Sequence, residues 1–192
     1  DWSSDVCSSD LDPGYAIEDL CGLLRGIKTK TGMAVTLSIG ERSCDDYGRL
    51  KEAGADRYLL RFETSDPLLF RKLKPDSVYE ERFRCLRWLG ELGYQVGSGN
   101  MVGLPGQSGE SLADDILLFR ELDLDMIGLG PFIAHPDTPL RGSPDGTIDR
   151  VLRVTALARI VTGNAHMPAT TATGTIDPRG REKALQCGAN VL

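Results

Sequence analysis

The chain has 192 residues, a net charge of −6, 41% hydrophobic and 26% charged residues, the balance of a soluble globular domain large enough for a real core. That balance leaves no basic footprint for nucleic acid; no apolar run approaches the roughly 18 residues of a membrane span, and no basic-then-apolar leader is visible at the start. Five cysteines, at positions 7, 21, 44, 85 and 187, are odd in number and too widely spaced for a zinc site, so reduced cytosolic thiols are expected.

The opening segment, Asp1 to Leu11, reads DWSSDVCSSDL. It has no apolar period of either kind, and it back-translates into a common sequencing-library adaptor read in one frame. It is expected to be non-native, leaving residues 12–192 as the domain.

From residue 15 the pattern is regular. Ile17, Leu20, Leu23, Leu24 and Ile27 have helical spacing over Tyr15 to Lys30, closed by Gly32. Met33 to Ile39 is expected as a buried strand, Cys44 to Ala53 as a helix ended by Gly54, and Arg57 to Phe62 as a strand. A short helix over Asp66 to Leu73 precedes a strong one over Tyr79 to Leu92. Val96 to Val102 is a Gly-rich strand, Ser111 to Leu122 a helix, and Asp125 to Gly130 a strand. Ile148 to Val161 is a long helix, Met167 to Thr171 a strand, and Pro178 to Cys187 a helix. Ala189 to Leu192 opens another strand. Strand and helix thus alternate about six times, the mark of a parallel sheet with crossover helices. Both a doubly wound sheet and a barrel fit. The missing Gly-x-Gly-x-x-Gly fingerprint and the polar residues at strand ends favour the barrel.

Those strand ends carry the candidate chemistry. Thr36 and Ser38 alternate with Val35, Leu37 and Ile39, facing either the barrel lumen or the helices, and Gly40-Glu41 follows. Arg61 and Glu63 share a face by their i, i+2 spacing; they suit either a zwitterion such as an amino acid or a structural ion pair. Arg82, beside Glu80 and Glu81, reads as a solvated charge, although its guanidinium fork suits a carboxylate. Residues 97–106, GSGNMVGLPG, hold four glycines in ten positions. Such a run implies a bulge, a bend or something flat lying on the backbone. It is not a phosphate loop. His135 lies in a proline-stiffened loop, and Thr170, Thr171, Thr173 and Thr175 gather at a strand end. Two histidines are too few for a histidine-rich metal site.

Four strings, YLLRFETSDPLLFRKLKPD, ELGYQVGSGNMVGLPGQSGESLADD, DMIGLGPFIAHPDTPL and MPATTATGTIDPRGRE, together resemble the FeFe-hydrogenase maturases of the HydE kind. These are radical S-adenosylmethionine (SAM) enzymes akin to biotin synthase and methylornithine synthase. The resemblance runs from about residue 12 to the end. It implies a partial TIM-type (βα) barrel of the radical SAM kind, about six of eight units. It also implies a 5′-deoxyadenosyl radical used in assembling the hydrogenase di-iron cluster. By position it places Arg82 on the SAM carboxylate and Glu63 on the cofactor's polar groups. Gly99, Met101 and Gly103 fall near the adenine, with Ser38 among the cofactor contacts. Thr36, Arg61, Thr170 and Thr171 surround a small anionic substrate or iron complex. Other hydrogenase maturation proteins are the partners it suggests. The family's 4Fe-4S cluster is held by CxxxCxxC, which this sequence lacks. The chain is therefore expected to be a cytoplasmic fragment, inactive by itself. A Schiff-base aldolase barrel, which would want a strand-end lysine, and a non-catalytic binding barrel are the readings from other classes.

Overall fold

The computed structural model describes residues 15–192; the adaptor-like segment and the start of the expected domain lie outside them. The elements are α1 (Ile17–Thr31), β1 (Thr36–Leu37), α2 (Cys44–Glu52), β2 (Arg57–Leu59), α3 (Pro67–Leu73) and α4 (Tyr79–Glu91). They continue with β3 (Gln95–Val102), α5 (Gly109–Glu121), β4 (Met126–Pro131), α6 (Ile148–Thr162), α7 (Thr171–Ile176) and α8 (Gly180–Gln186). The strands form one parallel sheet in chain order, β1-β2-β3-β4. Parallel bridges Met126↔His166 and Pro168↔Val191 extend that order by two more segments, giving the α/β partial barrel architecture in which every crossover carries a helix.

Local chemistry places the helix ends. Gly32 takes the left-handed conformation (φ 63°) that closes α1. Ser43, Asp66 and Ser108 cap α2, α3 and α5 by accepting backbone N–H groups of the first turn, with Pro67 opening α3. The main core lies between sheet and helices: Tyr58, Leu60, Phe62, Val96, Ile127 and Leu129 from the strand regions meet Leu24, Leu50, Leu89, Ile116, Phe119 and Val154 from the helices.

Three expected strands differ. Only Thr36–Leu37 of the 33–39 segment is regular, because β1 has a single strand neighbour among the described residues. Met167 to Thr171 makes one isolated bridge, at Pro168, with another at His166 just before it, instead of a strand, and Thr171 begins the short helix α7, which periodicity over six residues (TATGTI) does not reveal. β2 ends at Leu59 because its ladder is interrupted. Leu59 pairs with Gly97 and Glu63 with Asn100, so β2 carries one residue more than β3 between those points, a bulge. The Ser98 hydroxyl fills the gap, donating to Leu60 O (2.8 Å) and accepting from Phe62 N (3.2 Å).

At the opposite edge of the sheet one device recurs. Asp56 accepts the N–H of Val35, Asp125 that of Val96, and Asn190 that of Met167, at 2.7, 2.8 and 2.7 Å. In each case the residue just before one strand segment staples the start of its neighbour. Asp125→Ala leaves the Val96 N–H without its acceptor and is expected to cost about 1–3 kcal/mol, read from urea unfolding, whereas the exposed Glu121→Ala changes stability by less than about 0.5 kcal/mol.

Candidate functional site

The site residues collect at the C-terminal ends of the strands, where a (βα) barrel keeps its chemistry. Arg82 reaches this edge from α4. It is not a solvated charge: its residue is 1% exposed. A guanidinium so buried needs a compensating anion, and Glu41, beyond β1, supplies it, Nε to Oε1 at 2.7 Å. Ser77 Oγ donates to Glu41 Oε1 (2.9 Å) and accepts from Arg82 Nη2 (3.3 Å), while Arg82 Nη1 donates to Arg61 O (3.3 Å). Helical spacing alone could not show this, because Arg82 follows two acidic residues on the same turn.

Arg61 and Glu63 are brought together as their spacing suggested, at 3.1 Å. The route is not a regular strand. The bulge intervenes, and Glu63 has φ 66°, uncommon for a residue with a side chain. Thr64 N donates to Phe62 O (2.8 Å) across it, the three-residue turn of the rarer, strained hand. Arg61 Nη2 also donates to Asn100 O (2.7 Å), and its buried Nε has no hydrogen-bond partner.

A buried carboxylate holds that turn. Asp115, 0% exposed on α5, accepts from Ser65 N through one oxygen and from Asn100 Nδ2 through the other, both at 2.6 Å. Ser65 Oγ donates to Ser111 O, and Tyr79 Oη donates to Ser65 O. Burial pushes the Asp115 carboxyl above its usual range, and the Ser65 and Asn100 donors oppose the shift. Glu41, Asn100 and Asp115 appear in the sequence reading only within their strings, and none of Glu41, Ser77, Asn100 and Asp115 is given a role there. Asp115 alone carried a signal there: a carboxylate inside the apolar stripe Leu112, Ile116, Phe119.

The Gly-rich strand has a packing reason at two positions. A Cβ on Gly99 would lie 2.0 Å from Gly128 O, and one on Gly103 (φ 94°) 2.5 Å from the Gly146 backbone. Neighbouring backbone therefore suffices to require glycine at both. The Met101 side chain is buried with Leu69, Leu73, Leu104 and Phe132. Gln107 closes the turn after β3, its Oε1 accepting from Gly103 N and its Nε2 donating to Met101 O.

Val35, Leu37 and Ile39 pack on the main core, so Thr36, between the first two on β1, points away from it; Ser38 lies just past β1, and no hydrogen bond joins either residue to Arg61, Glu63 or Arg82 among the described residues. Thr170 does not end a strand. It caps α7, its Oγ1 lying 2.8 Å from Thr173 Oγ1 and accepting from Thr173 N, and Thr171 is the first helical residue. His135 Nδ1 accepts from Asp137 N at 3.3 Å within its own loop.

Residues 8–119, more than half of the chain, match the radical SAM superfamily, and the chain belongs to it. It is 52% identical over 187 residues to the FeFe hydrogenase maturase subunit HydE of Thermotoga maritima, covering 97% of this chain and 53% of that protein. It is 30% identical over 167 residues to biotin synthase of Desulforudis audaxviator, covering 86% and 49%. The chain thus spans about half the length of the curated relatives it matches. Among solved structures, methylornithine synthase (PylB) superposes with a TM-score of 0.81 at 25% identity over 91% of this chain and 51% of that one. HydG, an FeFe-hydrogenase maturase, shares the fold at a TM-score of 0.76 and 17% identity over 90% and 41%.

The superfamily implies SAM and a 4Fe-4S cluster. The cluster does not fit the described residues: Cys21, Cys44, Cys85 and Cys187 stand apart, and no three His, Cys, Asp or Glu side chains there could hold a metal. The amino-acid end of SAM does fit. The buried Arg82 guanidinium, its Nε paired with Glu41 without a hydrogen bond, stands with the Glu63 carboxylate at the strand ends, while the partnerless Arg61 Nε lies beside them on the side expected for substrate.

Asp115 gives this site a pH signature. A carboxyl raised in the folded state contributes stability below its unfolded value and loses that contribution as pH rises through its folded value. The stability of the wild type minus that of Asp115→Asn should therefore fall as pH rises from about 4 toward neutrality; urea unfolding across that range checks it, and a flat or rising difference would contradict the assignment.

Proposed function

We propose that the chain is part of a radical SAM enzyme that supports FeFe-hydrogenase maturation, and that its strand-end charges hold the amino-acid end of SAM. The observation that carries the cofactor part is the buried Arg82 at the end of the sheet; the maturation part rests on the 52% identity to HydE.

In this reading Arg82 meets the SAM carboxylate, while Glu63, held in its turn by Asp115, takes the cofactor's polar groups. The bare backbone at Gly99 and Gly103, with Met101 between them, lies along the adenine, and Ser38, just past β1, completes the contacts. Arg61, Thr36, Thr170 and Thr171 face a small anionic or iron-complexed substrate. When bound, SAM supplies the 5′-deoxyadenosyl group. The chain's own residues bind and orient it, and the cluster ligands are not among those described. A cytoplasmic location and contact with other maturation proteins belong to this reading; no helix among the described residues is long and apolar enough to cross a membrane. The likeness to the solved methylornithine synthase, with a TM-score of 0.81, supports amino-acid radical chemistry as the second reading.

Two experiments test the proposal. Arg82→Lys keeps the charge and loses the planar fork, and calorimetric titration with SAM should show affinity weakened about tenfold or more; unchanged affinity removes Arg82 from the site. Residues 12–192 can also replace the matching half of Thermotoga maritima HydE. The chimera should restore hydrogen evolution in a host lacking its own HydE. Failure of a well-folded chimera there, with activity in a methylornithine assay, would move the chain to the second reading.

A further inference from the structure

Glu41 was noted in the sequence only as the residue after Gly40, and no role is assigned to it. Its contacts are more specific than charge neutralisation needs. One oxygen, Oε1, lies 2.7 Å from Arg82 Nε and accepts the Ser77 hydroxyl at 2.9 Å, while Ser77 Oγ in turn accepts Arg82 Nη2 at 3.3 Å. These three groups close a triangle on the Nε edge of the guanidinium. On the other side, Nη1 is held by Arg61 O at 3.3 Å. A guanidinium carries five N–H groups in a plane. At Nε the contact with Glu41 is a close ion pair whose N–H is not aimed at the oxygen; the two hydrogen bonds use one hydrogen on each Nη, so one hydrogen on each Nη is left. A carboxylate is matched by such a pair of Nη hydrogens.

We propose that Glu41 is a positioning residue: with Ser77 it fixes Arg82 by the Nε edge, so that the Nη edge is presented to the carboxylate of a bound amino-acid group. The inference rests on the reading that this site takes the amino-acid end of SAM. The Arg82 side chain is 1% exposed, whereas those of Arg61 and Glu41 are 30% and 19% exposed, so a ligand approaches from the Arg61 side. A guanidinium free to turn about its long side chain would present a different edge to that opening. Glu41 acts by removing this freedom.

Positioning and mere charge compensation predict opposite rankings of two conservative variants. Glu41→Gln keeps the length and the Oε1 acceptor and loses the charge. Glu41→Asp keeps the charge and, one methylene shorter, cannot reach Arg82 and Ser77 together. Calorimetric titration of the 192-residue chain with SAM is expected to give Glu41→Gln an affinity within about threefold of wild type and Glu41→Asp one weakened about tenfold, the loss of one charge-assisted contact. Nitrogen-15 NMR of the Arg82 Nε–H reads the same ranking without ligand: a resonance kept in Glu41→Gln, shifted and faster-exchanging in Glu41→Asp. Any other ranking in the NMR overturns the inference. If the wild type binds no SAM while the NMR ranking holds, the cofactor reading fails and the positioning role of Glu41 stands.

Discussion

A buried guanidinium cannot be left uncompensated, and much of this molecule's upper edge follows from that constraint at Arg82. Its charge has to be met inside the protein, so Glu41 in the loop after β1, Ser77 before α4 and the Arg61 carbonyl after β2 converge on it. Three separate stretches of chain are thereby fixed to one point. The same point lies at the strand ends, where a parallel α/β sheet leaves its open edge. Arg82 thus links the fold to the site: one side chain of α4 both ties the helix layer to the sheet and supplies the cation a ligand carboxylate would meet.

The second element depends on the first strand-end turn being held in an unfavourable shape. The bulge between Leu59 and Glu63 and the positive φ of Glu63 bring Glu63 next to Arg61. Such a conformation persists only where the surroundings over-determine it. Here the surroundings are Asp115 and Asn100, buried between β3 and α5, with Ser65 and Ser111 completing the network. A carboxylate kept at 0% exposure is costly, and its reward is a fixed loop carrying two of the site's charges.

The parts legible in the sequence were those set by local rules. Helix spacing, glycine stops and short apolar runs located every helix except α7 to within a few residues, because capping and amphipathic burial act over one or two turns. Alternation also paired Arg61 with Glu63 correctly, although through a bulge that no periodicity records. What stayed hidden depends on contacts far apart in the chain. Arg82 looks solvated until Glu41, about forty residues earlier, is seen beside it. The glycines of β3 suggested a ligand lying on the backbone, yet at Gly99 and Gly103 a neighbouring strand and loop already demand them. Thr170 and Thr171 looked like a strand end because threonine favours strands, whereas a hydroxyl cap turns the chain into α7. The family assignment came from whole strings of residues, and no single spacing would have carried it.

The central claim is that the strand-end charges, led by Arg82, hold the amino-acid end of SAM. A crystal structure of the chain with SAM tests it most directly. The account predicts the SAM carboxylate within about 3 Å of both Arg82 Nη atoms, with Glu41 still on Nε. A carboxylate bound elsewhere, with the contacts of Arg82 unchanged, would contradict it.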